Sequence, residues 1–275
     1  MSSEADLSTK TPHRESFRVR SFDVDTENRL CPTALTRFLL EAAWHHAKRL
    51  GYGYSALGEQ QLFWVLSRIA VEIQEPPHWE DEVTIETWPA GTQRMFALRD
   101  YEMRTADGRP VAIGTSAWLV LDAETRRPVR IENVFDRGAF ETGRRALDHS
   151  LEKLSTFDPV DRQPDYSKPV VYSDLDRHDH VNSVAYLQWI IDSYRWDALE
   201  HATLKRFELN YLAETAGGEH VELFSRPAPN APDTPNAPAP SGVRQHLIRR
   251  GSDLRPICSA KLSWSSPAVA PPAPL

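Results

Sequence analysis

Residues 174–187 read DLDRHDHVNSVAYL, and residues 23–39 read DVDTENRLCPTALTRFL. Each stretch opens with an Asp-x-Asp motif, and the two motifs lie 151 residues apart. In both, the motif ends a short strand-like segment, and apolar residues then recur at helical spacing. Pro32 suits the first position of the earlier helix, and Asn182 or Ser183 can cap the later one. The chain therefore carries an internal repeat of a strand followed by a helix.

The apolar pattern changes after each helix from a period of 3.6 residues to a period of 2, which is typical of strands. The alternating segments are Val65–Ile73, Val83–Trp88, Phe96–Thr105 and Val111–Leu121 in the first half, and Phe207–Tyr211, Val221–Phe224, Val243–Ile248 and Ile257–Trp264 in the second. This pattern predicts an α+β chain. We interpret it as a tandem (double) hot-dog fold, in which two long helices are each wrapped by a curved antiparallel sheet.

Proline marks the segments that cannot continue a helix or an interior strand. Of the 21 prolines, six fall between Pro227 and Pro240, where we expect a long loop between two strands. The predicted organisation is a disordered tail (1–14), an N-terminal hot-dog domain (15–150), a linker (151–166), a C-terminal hot-dog domain (167–266) with a Pro-rich loop (226–242), and a second disordered tail (267–275).

Composition narrows the class of protein. The chain has 275 residues, a formal net charge of −7, 40% apolar and 26% charged residues, as in ordinary soluble globular proteins. No apolar run approaches the ~20 residues that span a bilayer, so we expect no membrane segment. Cys31 and Cys258 are too few for a disulfide framework, and we expect a cytoplasmic protein. The acidic balance argues against nucleic-acid binding.

The most polar stretch, residues 172–183, places two histidines and three carboxylates where a strand gives way to a helix. Unpaired N–H groups at a helix start can stabilise a developing oxyanion, and an adjacent carboxylate and imidazole can activate water. The alternative interpretation is structural, with Asp176 and Asn182 capping the turn and the helix while the histidines are solvated.

A metal site is a further alternative at this stretch. His178 and His180 point the same way in an extended segment, but a catalytic zinc usually needs three protein ligands and no third is identifiable. We therefore expect neither a metal nor a cofactor.

The junction and several other segments resemble the acyl-acyl-carrier-protein (acyl-ACP) thioesterases, double hot-dog proteins related to the plant plastid enzymes that terminate fatty acid synthesis. The resemblance extends over residues 15–266 and rests on HVNS after DLD, an aromatic-rich helix, and further segments in the expected order. Those segments are Trp64–Arg68, Thr87-Trp88, Arg99, Ser116–Asp122, Arg127-Pro128 and Asn210–Glu214. It implies hydrolysis of acyl-ACP to a free fatty acid and carrier protein in fatty acid biosynthesis. An acyl-CoA thioesterase on the same fold and a non-hydrolytic acyl-binding protein remain alternatives.

The resemblance also implies site residues. The family pattern Asp-x-Asn-x-His falls on Asp176, His178 and His180, so a histidine stands in the Asn position. The family's Glu-Cys pair falls on Glu214 and Thr215, which excludes a thiolate nucleophile there. Hydrolysis should then proceed by general-base attack of water or through a carboxylate acyl intermediate. We expect Glu214 or Asp176 to activate the nucleophile, with His180 orienting water or protonating the thiolate leaving group. If His178 takes part, the pH optimum should be shifted.

Backbone N–H groups near Val181 and Asn182 are expected to hold the thioester carbonyl oxygen. By the same resemblance, the first half binds the acyl chain and the second half is catalytic. Phe38, Trp64 or Leu66 are then expected to set chain length.

The expected partner is acyl carrier protein with its phosphopantetheine-linked acyl chain. Because that carrier is acidic, the surface on which it docks should be basic, and one of the candidate arginine clusters is Arg126, Arg127 and Arg130. The tandem repeat leaves both a monomer and a homodimer open.

Overall fold

The computed structural model describes residues 11–135, 143–199, 202–229 and 242–265. The predicted tail at 267–275 and most of the predicted tail at 1–14 and of the Pro-rich loop at 226–242 lie outside the described residues. The chain divides into two compact units, Met1–Glu152 and Lys153–Leu275.

The first unit contains an antiparallel sheet, a long helix α1 (Pro32–Arg49) and a short helix α2 (Tyr54–Gly58). Its strands are β1 (His13–Arg18), β2 (Leu62–Ile73), β3 (Glu82–Gln93), β4 (Phe96–Thr105), β5 (Pro110–Asp122) and the two-residue β6 (Pro128–Val129). The strands pair in the order β1-β3-β4-β5-β2, and β6 pairs with β5.

The second unit repeats this topology. Its elements are β7 (Tyr166–Pro169), α3 (Ser183–Asp192), α4 (Trp196–Leu199), β8 (Thr203–Tyr211), β9 (His220–Pro227), β10 (Gly242–Arg250) and β11 (Pro256–Ser265). The strands pair in the order β7-β9-β10-β11-β8. Counted along the chain, the order in each sheet is first, third, fourth, fifth, second. The predicted repeat and the α+β class are confirmed.

Strand β1 begins at His13, so residues 13 and 14 belong to the sheet and not to the predicted tail. His13 and Arg14 pair with Thr87 and Glu86 of β3, and the His13 side chain is buried. A nitrogen of the Arg49 guanidinium lies 2.6 Å from Nδ1 of that imidazole. These contacts order a segment whose polar composition predicted disorder.

The second helix is shorter than predicted. Helix α3 has 10 residues against 18 in α1, so the prediction of two long helices is wrong for the second unit. The hydroxyl of Ser193 donates to the carbonyl of Ile190 at 2.7 Å, which closes the last turn. Tyr194, predicted on the apolar face, therefore lies beyond the helix, where its hydroxyl lies 3.0 Å from Nε2 of His246.

Each helix packs on its own sheet through specific side chains. In the first unit the ring of Phe38 stacks on Phe17 of β1 with centroids 4.8 Å apart. In the second unit Tyr186 of α3 meets Tyr211 of β8 edge to face at 5.5 Å. An apolar cluster in the first unit lies around Trp88 and includes Leu98, Ala117, Leu147 and Leu151.

The loops that precede α1 and α3 share their backbone hydrogen bonds, donor for donor. Each loop has a non-glycine residue in the left-handed region, Asn28 with φ of 64° and Asp179 with φ of 60°. Four bonds match, all between 2.8 and 3.2 Å, and each is given as N–H donor to carbonyl acceptor. Those of the first loop are Asp23 to Arg20, Asp25 to Arg29, Asn28 to Asp25 and Cys31 to Asp23. Those of the second loop, in the same order, are Asp174 to Val171, Asp176 to His180, Asp179 to Asp176 and Asn182 to Asp174. The Asp-x-Asp repeat thus encodes one loop structure used twice.

Asp174 holds the second loop to its helix. Its buried carboxylate lies 2.6 Å from Nζ of Lys168 and accepts the N–H of Val171 at 2.8 Å and the indole N–H of Trp189 at 3.0 Å. Burial by itself would raise the pKa of Asp174, but the hydrogen bonds from Lys168, Val171 and Trp189 outweigh it and lower that pKa.

We expect Asp174→Asn to lower the free energy of unfolding by about 1–3 kcal/mol near pH 7, the usual cost of weakening hydrogen bonds to a buried charged group. Because the pKa of Asp174 is lowered on folding, the ionised form stabilises the protein above the ordinary value of about 3.9. This contribution is lost as the pH falls below that value. Urea unfolding of the wild type and of Asp174→Asn, at neutral pH and below about pH 4, measures this contribution.

Asp23→Asn is the matched control, because the Asp23 carboxylate accepts the N–H of Arg20 at 3.0 Å and forms no ion pair among the described residues. At neutral pH we expect Asp23→Asn to lower the free energy of unfolding by less than Asp174→Asn does. A stability difference for Asp174→Asn that stays constant into the acid range would contradict the role assigned to its charge.

Candidate active site

The loop from Asp176 to His180 is a tight turn closed by its first residue. Oδ1 of Asp176 accepts the N–H of His178 at 2.8 Å, and the N–H of Asp176 donates to the carbonyl of His180 at 2.8 Å. The turn brings Leu175 and Val181 into an isolated bridge. His180 is therefore presented immediately before helix α3.

His180 faces Glu214, which follows β8. Nε2 of His180 lies 3.6 Å from Oε2 of Glu214, and the two side chains are 38% and 44% exposed. The N–H of Val181 donates to the carbonyl of Thr215 at 2.9 Å, and His180 forms an isolated bridge with Ala216. The structure thus brings together an imidazole and a carboxylate that are distant in sequence, and both are accessible to water.

The other predicted site residues lie around this pair in different environments. His178 is exposed, and its Nε2 accepts a hydrogen bond from Nε of Arg177 at 3.1 Å. Oδ2 of Asp176 has no hydrogen-bond partner among the described residues, so one oxygen of this carboxylate caps the turn and the other is open.

Thr215 is buried and its hydroxyl accepts a hydrogen bond from Tyr186 of α3 at 3.2 Å. The hydroxyl of Tyr211 donates to the carbonyl of Ser183 at 3.0 Å. Burial raises the pKa of Tyr186 and that of Tyr211 well above the ordinary value, so both hydroxyls remain protonated donors. These two tyrosines were not predicted as site residues, although tyrosine at otherwise apolar positions of a helix and a strand was a usable signal.

Of the N–H groups near Val181 and Asn182 that were predicted to hold the thioester carbonyl oxygen, those of these two residues themselves are already used. The N–H of Val181 is used by the carbonyl of Thr215, and that of Asn182 donates to the carbonyl of Asp174 at 2.8 Å. Asn182 is the N-cap of α3, and its side chain accepts the N–H of Val184 at 2.9 Å. The N–H of Ser183, the first residue of the helix, has no partner among the described residues and is the open donor of this turn.

Two family models match the chain: the acyl-ACP thioesterase N-terminal domain over residues 10–136 and the acyl-ACP thioesterase C-terminal domain over residues 159–265. The chain belongs to the acyl-ACP thioesterase family. Among relatives in this family, the chloroplastic palmitoyl-acyl carrier protein thioesterase of Arabidopsis thaliana is 29% identical over 268 residues. That match covers 92% of this chain and 64% of the relative. The chloroplastic oleoyl-acyl carrier protein thioesterase 1 of the same plant is 28% identical over 278 residues, covering 92% of this chain and 75% of the relative.

Solved structures of acyl-ACP thioesterases have the same fold. An acyl-ACP thioesterase from Bacteroides thetaiotaomicron superimposes with a TM-score of 0.77 at 24% identity, over 96% of this chain and 100% of the other. The 12:0-ACP thioesterase from Umbellularia californica gives a TM-score of 0.78 at 23% identity, over 92% and 94% of the two chains. The predicted tandem hot-dog fold is confirmed.

In this acyl-ACP thioesterase family member the first unit repeats the backbone of the candidate site without its chemical groups. The N–H of Leu30 donates to the carbonyl of Pro77 at 2.7 Å, as Val181 does to Thr215. Aligned through these bonds, the first-unit positions carry different groups. Arg29 stands at the position of His180, Pro76 at that of Glu214 and Pro32 at that of Ser183. The first unit therefore has no imidazole, carboxylate or free amide at these positions.

The residues predicted to line the acyl pocket lie in the first unit. Trp64 and Leu66 are both on β2, and the ring of Trp64 stacks on Phe135 at 5.2 Å. Phe38 is on α1, where its ring contact is with Phe17. Their role in chain length stays a prediction.

The predicted docking cluster of Arg126, Arg127 and Arg130 is exposed on the segment after β5. Arg126 lies in the left-handed region, with its guanidinium 5.0 Å from the centroid of the Phe63 ring. In the described part of the chain, no three His, Cys, Asp or Glu side chains are grouped as metal ligands, and no helix is long and apolar enough to cross a membrane.

We expect Asp176→Asn to reduce kcat for thioester hydrolysis at least ~100-fold without changing the melting temperature. The amide oxygen of asparagine can still accept the N–H of His178, so the turn remains, while the negative charge at the open oxygen is removed. Steady-state kinetics and thermal unfolding of the variant measure both effects.

Asp25→Asn is the control for that variant, because Asp25 closes the equivalent turn of the first unit by accepting the N–H groups of Glu27 and Arg29 at 2.9 and 3.0 Å. We expect its kcat to equal that of the wild type. Wild-type turnover in Asp176→Asn would show that Asp176 only caps the turn.

Proposed function

We propose that this chain hydrolyses acyl-ACP thioesters to a free fatty acid and carrier protein in fatty acid biosynthesis, with the His180–Glu214 pair as its acid-base centre. The observation that supports the proposal most directly is the 3.6 Å approach of these two side chains beside the start of α3, in a chain of this family. An imidazole and a carboxylate at that separation can divide the two proton transfers of thioester hydrolysis between them.

In the proposed mechanism the open carboxylate oxygen of Asp176 orients a water molecule, and the Glu214 carboxylate takes a proton from that water as its oxygen attacks the thioester carbonyl carbon. The C–S bond then breaks, and the departing thiolate takes a proton from the His180 imidazolium. The proton held by Glu214 passes to His180, which restores the starting state. The short distance between the two side chains allows this return step within the site.

Water is the attacking group in this proposal because the chain offers no activated thiol. It has two cysteines, and threonine occupies position 215. Burial raises the pKa of the Cys31 thiol to about 11, and burial also raises the pKa of the Cys258 thiol. Thiolate, the reactive form, is therefore scarce at neutral pH.

Two observations support acyl carrier protein as the carrier. The relatives named above act on acyl-ACP, as their names state, and the exposed cluster of Arg126, Arg127 and Arg130 would attract an acidic carrier. We place the reaction in the cytosol, where thiols such as Cys31 and Cys258 stay reduced. A monomer and a homodimer are both compatible with this proposal.

The proposal is tested by assaying the purified chain with one acyl group presented on acyl carrier protein and on coenzyme A. We expect faster release of free fatty acid from the acyl-ACP substrate. Glu214→Gln should lower kcat at least ~100-fold, because the amide cannot accept the proton of water. Glu208→Gln on β8, which removes a carboxylate paired with Arg206, is the control and should keep wild-type turnover.

Three outcomes would contradict parts of this proposal. Preference for acyl-CoA would contradict the carrier, wild-type turnover in Glu214→Gln would contradict the base, and binding of acyl chains without any release of fatty acid would contradict hydrolysis itself.

We further propose that the N–H of Ser183 donates to the developing oxyanion. Ser183→Pro removes this N–H at a helix position where proline is well tolerated, and Pro32 occupies the equivalent position of the first unit. We expect kcat to fall by about 100- to 1,000-fold, the usual effect of losing one oxyanion donor. Ser183→Ala keeps the N–H and should retain wild-type kcat, and equal losses in both variants would contradict this assignment.

A further inference from the structure

Glu214 lies in a segment that regular secondary structure does not hold. Strand β8 ends at Tyr211 and β9 begins at His220, so residues 212–219 lie between strands. Backbone hydrogen bonds hold the segment on both sides of position 214. The N–H of Leu212 donates to the carbonyl of Ile257 at 2.9 Å, the carbonyl of Thr215 accepts the N–H of Val181, and Gly218 and Glu219 bond to the backbone of Val170. A carboxylate that must stay close to His180 needs a further constraint on the backbone at position 214.

Arg250, the last residue of β10, supplies such a constraint. Its Nη2 donates to the backbone carbonyl of Glu214 at 2.8 Å, and its Nε lies 3.0 Å from Oε1 of Glu219. A third nitrogen, Nη1, donates to Asp253 at 3.0 Å, and the side chain is only 17% exposed. The guanidinium thus donates hydrogen bonds to two acceptors through Nη1 and Nη2, and it forms an ion pair with Glu219 in which Nε makes no hydrogen bond. A lysine ammonium on a flexible stem reproduces this arrangement poorly.

Glu219 connects Arg250 to the other end of the segment. While Oε1 faces Arg250, Oε2 accepts the N–H of Ala216 at 2.9 Å. The Arg250–Glu219 pair therefore holds the backbone on both sides of Thr215. Because Ala216 forms a bridge with His180, the same pair also keeps the segment 212–219 close to the loop that carries His180.

The first unit has the carboxylate of this arrangement but not the arginine. Asp81 accepts the N–H of His78 at 2.9 Å, as Glu219 does for Ala216. The position equivalent to Arg250 is Thr105, because each donates its N–H at 2.9 Å across the hairpin that follows. The hydroxyl of Thr105 is bonded within that hairpin, to Asp107 and Arg109. The arginine occurs only in the unit that carries Glu214.

We propose that Arg250 is a positioning residue that holds Glu214 in register with His180. This inference rests on the proposed function, since it assigns Arg250 a role only through the carboxylate of Glu214. The hydrogen bond from Arg250 to Glu214 is made to the backbone carbonyl, so it fixes the position of the residue. Its loss would displace the base without changing the substrate-binding surfaces.

The test compares Arg250→Leu and Arg250→Lys with the wild type. We expect kcat to fall by about 10- to 100-fold, the effect of moving a catalytic group by around an ångström, while KM is unchanged. Arg250→Lys keeps a positive charge beside Glu219 and is the variant to use if Arg250→Leu does not fold. Arg249→Leu is the matched control: Arg249 forms a 2.7 Å ion pair with Glu222, is 19% exposed, and should be dispensable for kcat.

A double variant distinguishes positioning from general stabilisation. If Arg250 acts through Glu214, then Arg250→Leu should cause no further loss of kcat in the Glu214→Gln background. Losses that multiply, or equal losses in Arg249→Leu, would overturn the proposal. Loss in Glu214→Gln with wild-type turnover in both Arg250 variants would overturn the positioning role alone. Wild-type turnover in Glu214→Gln would overturn the proposed function and the positioning role together.

Discussion

The hydrogen bond from the N–H of Val181 to the carbonyl of Thr215 makes the start of α3 and the end of β8 neighbours. Without it His180 and Glu214 would belong to separate parts of the unit. The bond depends on a loop that Asp176 closes from within and that the buried carboxylate of Asp174 holds to the helix. Stability and site geometry therefore share the same few polar contacts, and changes in the loop affect both.

The sequence predicted the features that depend on local chemistry or on periodicity. The Asp-x-Asp repeat, the proline at the start of α1 and the alternating strands are local signals, and the double hot-dog fold follows from their order. The length of α3 was misjudged because Ile191 and Tyr194 continue the apolar spacing. The helix nevertheless ends at Asp192, with Ser193 as its C-cap residue, and periodicity does not detect such a cap.

The hydrogen bonds that occupy the N–H groups of Val181 and Asn182 were not predicted for a different reason. Whether the N–H groups of Val181 and Asn182 are open depends on acceptors elsewhere, one of them the carbonyl of Thr215 in the segment between β8 and β9. Long-range pairing of this kind has no signature in a local pattern. For the same reason the contact between Arg250 and Glu214 was invisible, although the acid and imidazole themselves were identified by resemblance.

Pro32 prevents the first unit from offering the backbone N–H donor that the second unit has at the start of its helix. The proline ring fits the start of α1 at no cost to the fold. Proline has no backbone N–H, however, so the first unit lacks the donor that Ser183 leaves open at the equivalent position of the second unit. A designer who wished to install a second reaction centre in this chain would have to replace Pro32, Arg29 and Pro76 together. Each single replacement would yield no activity for selection to improve. A proline that is neutral for folding thus acts as a barrier between two copies of one architecture.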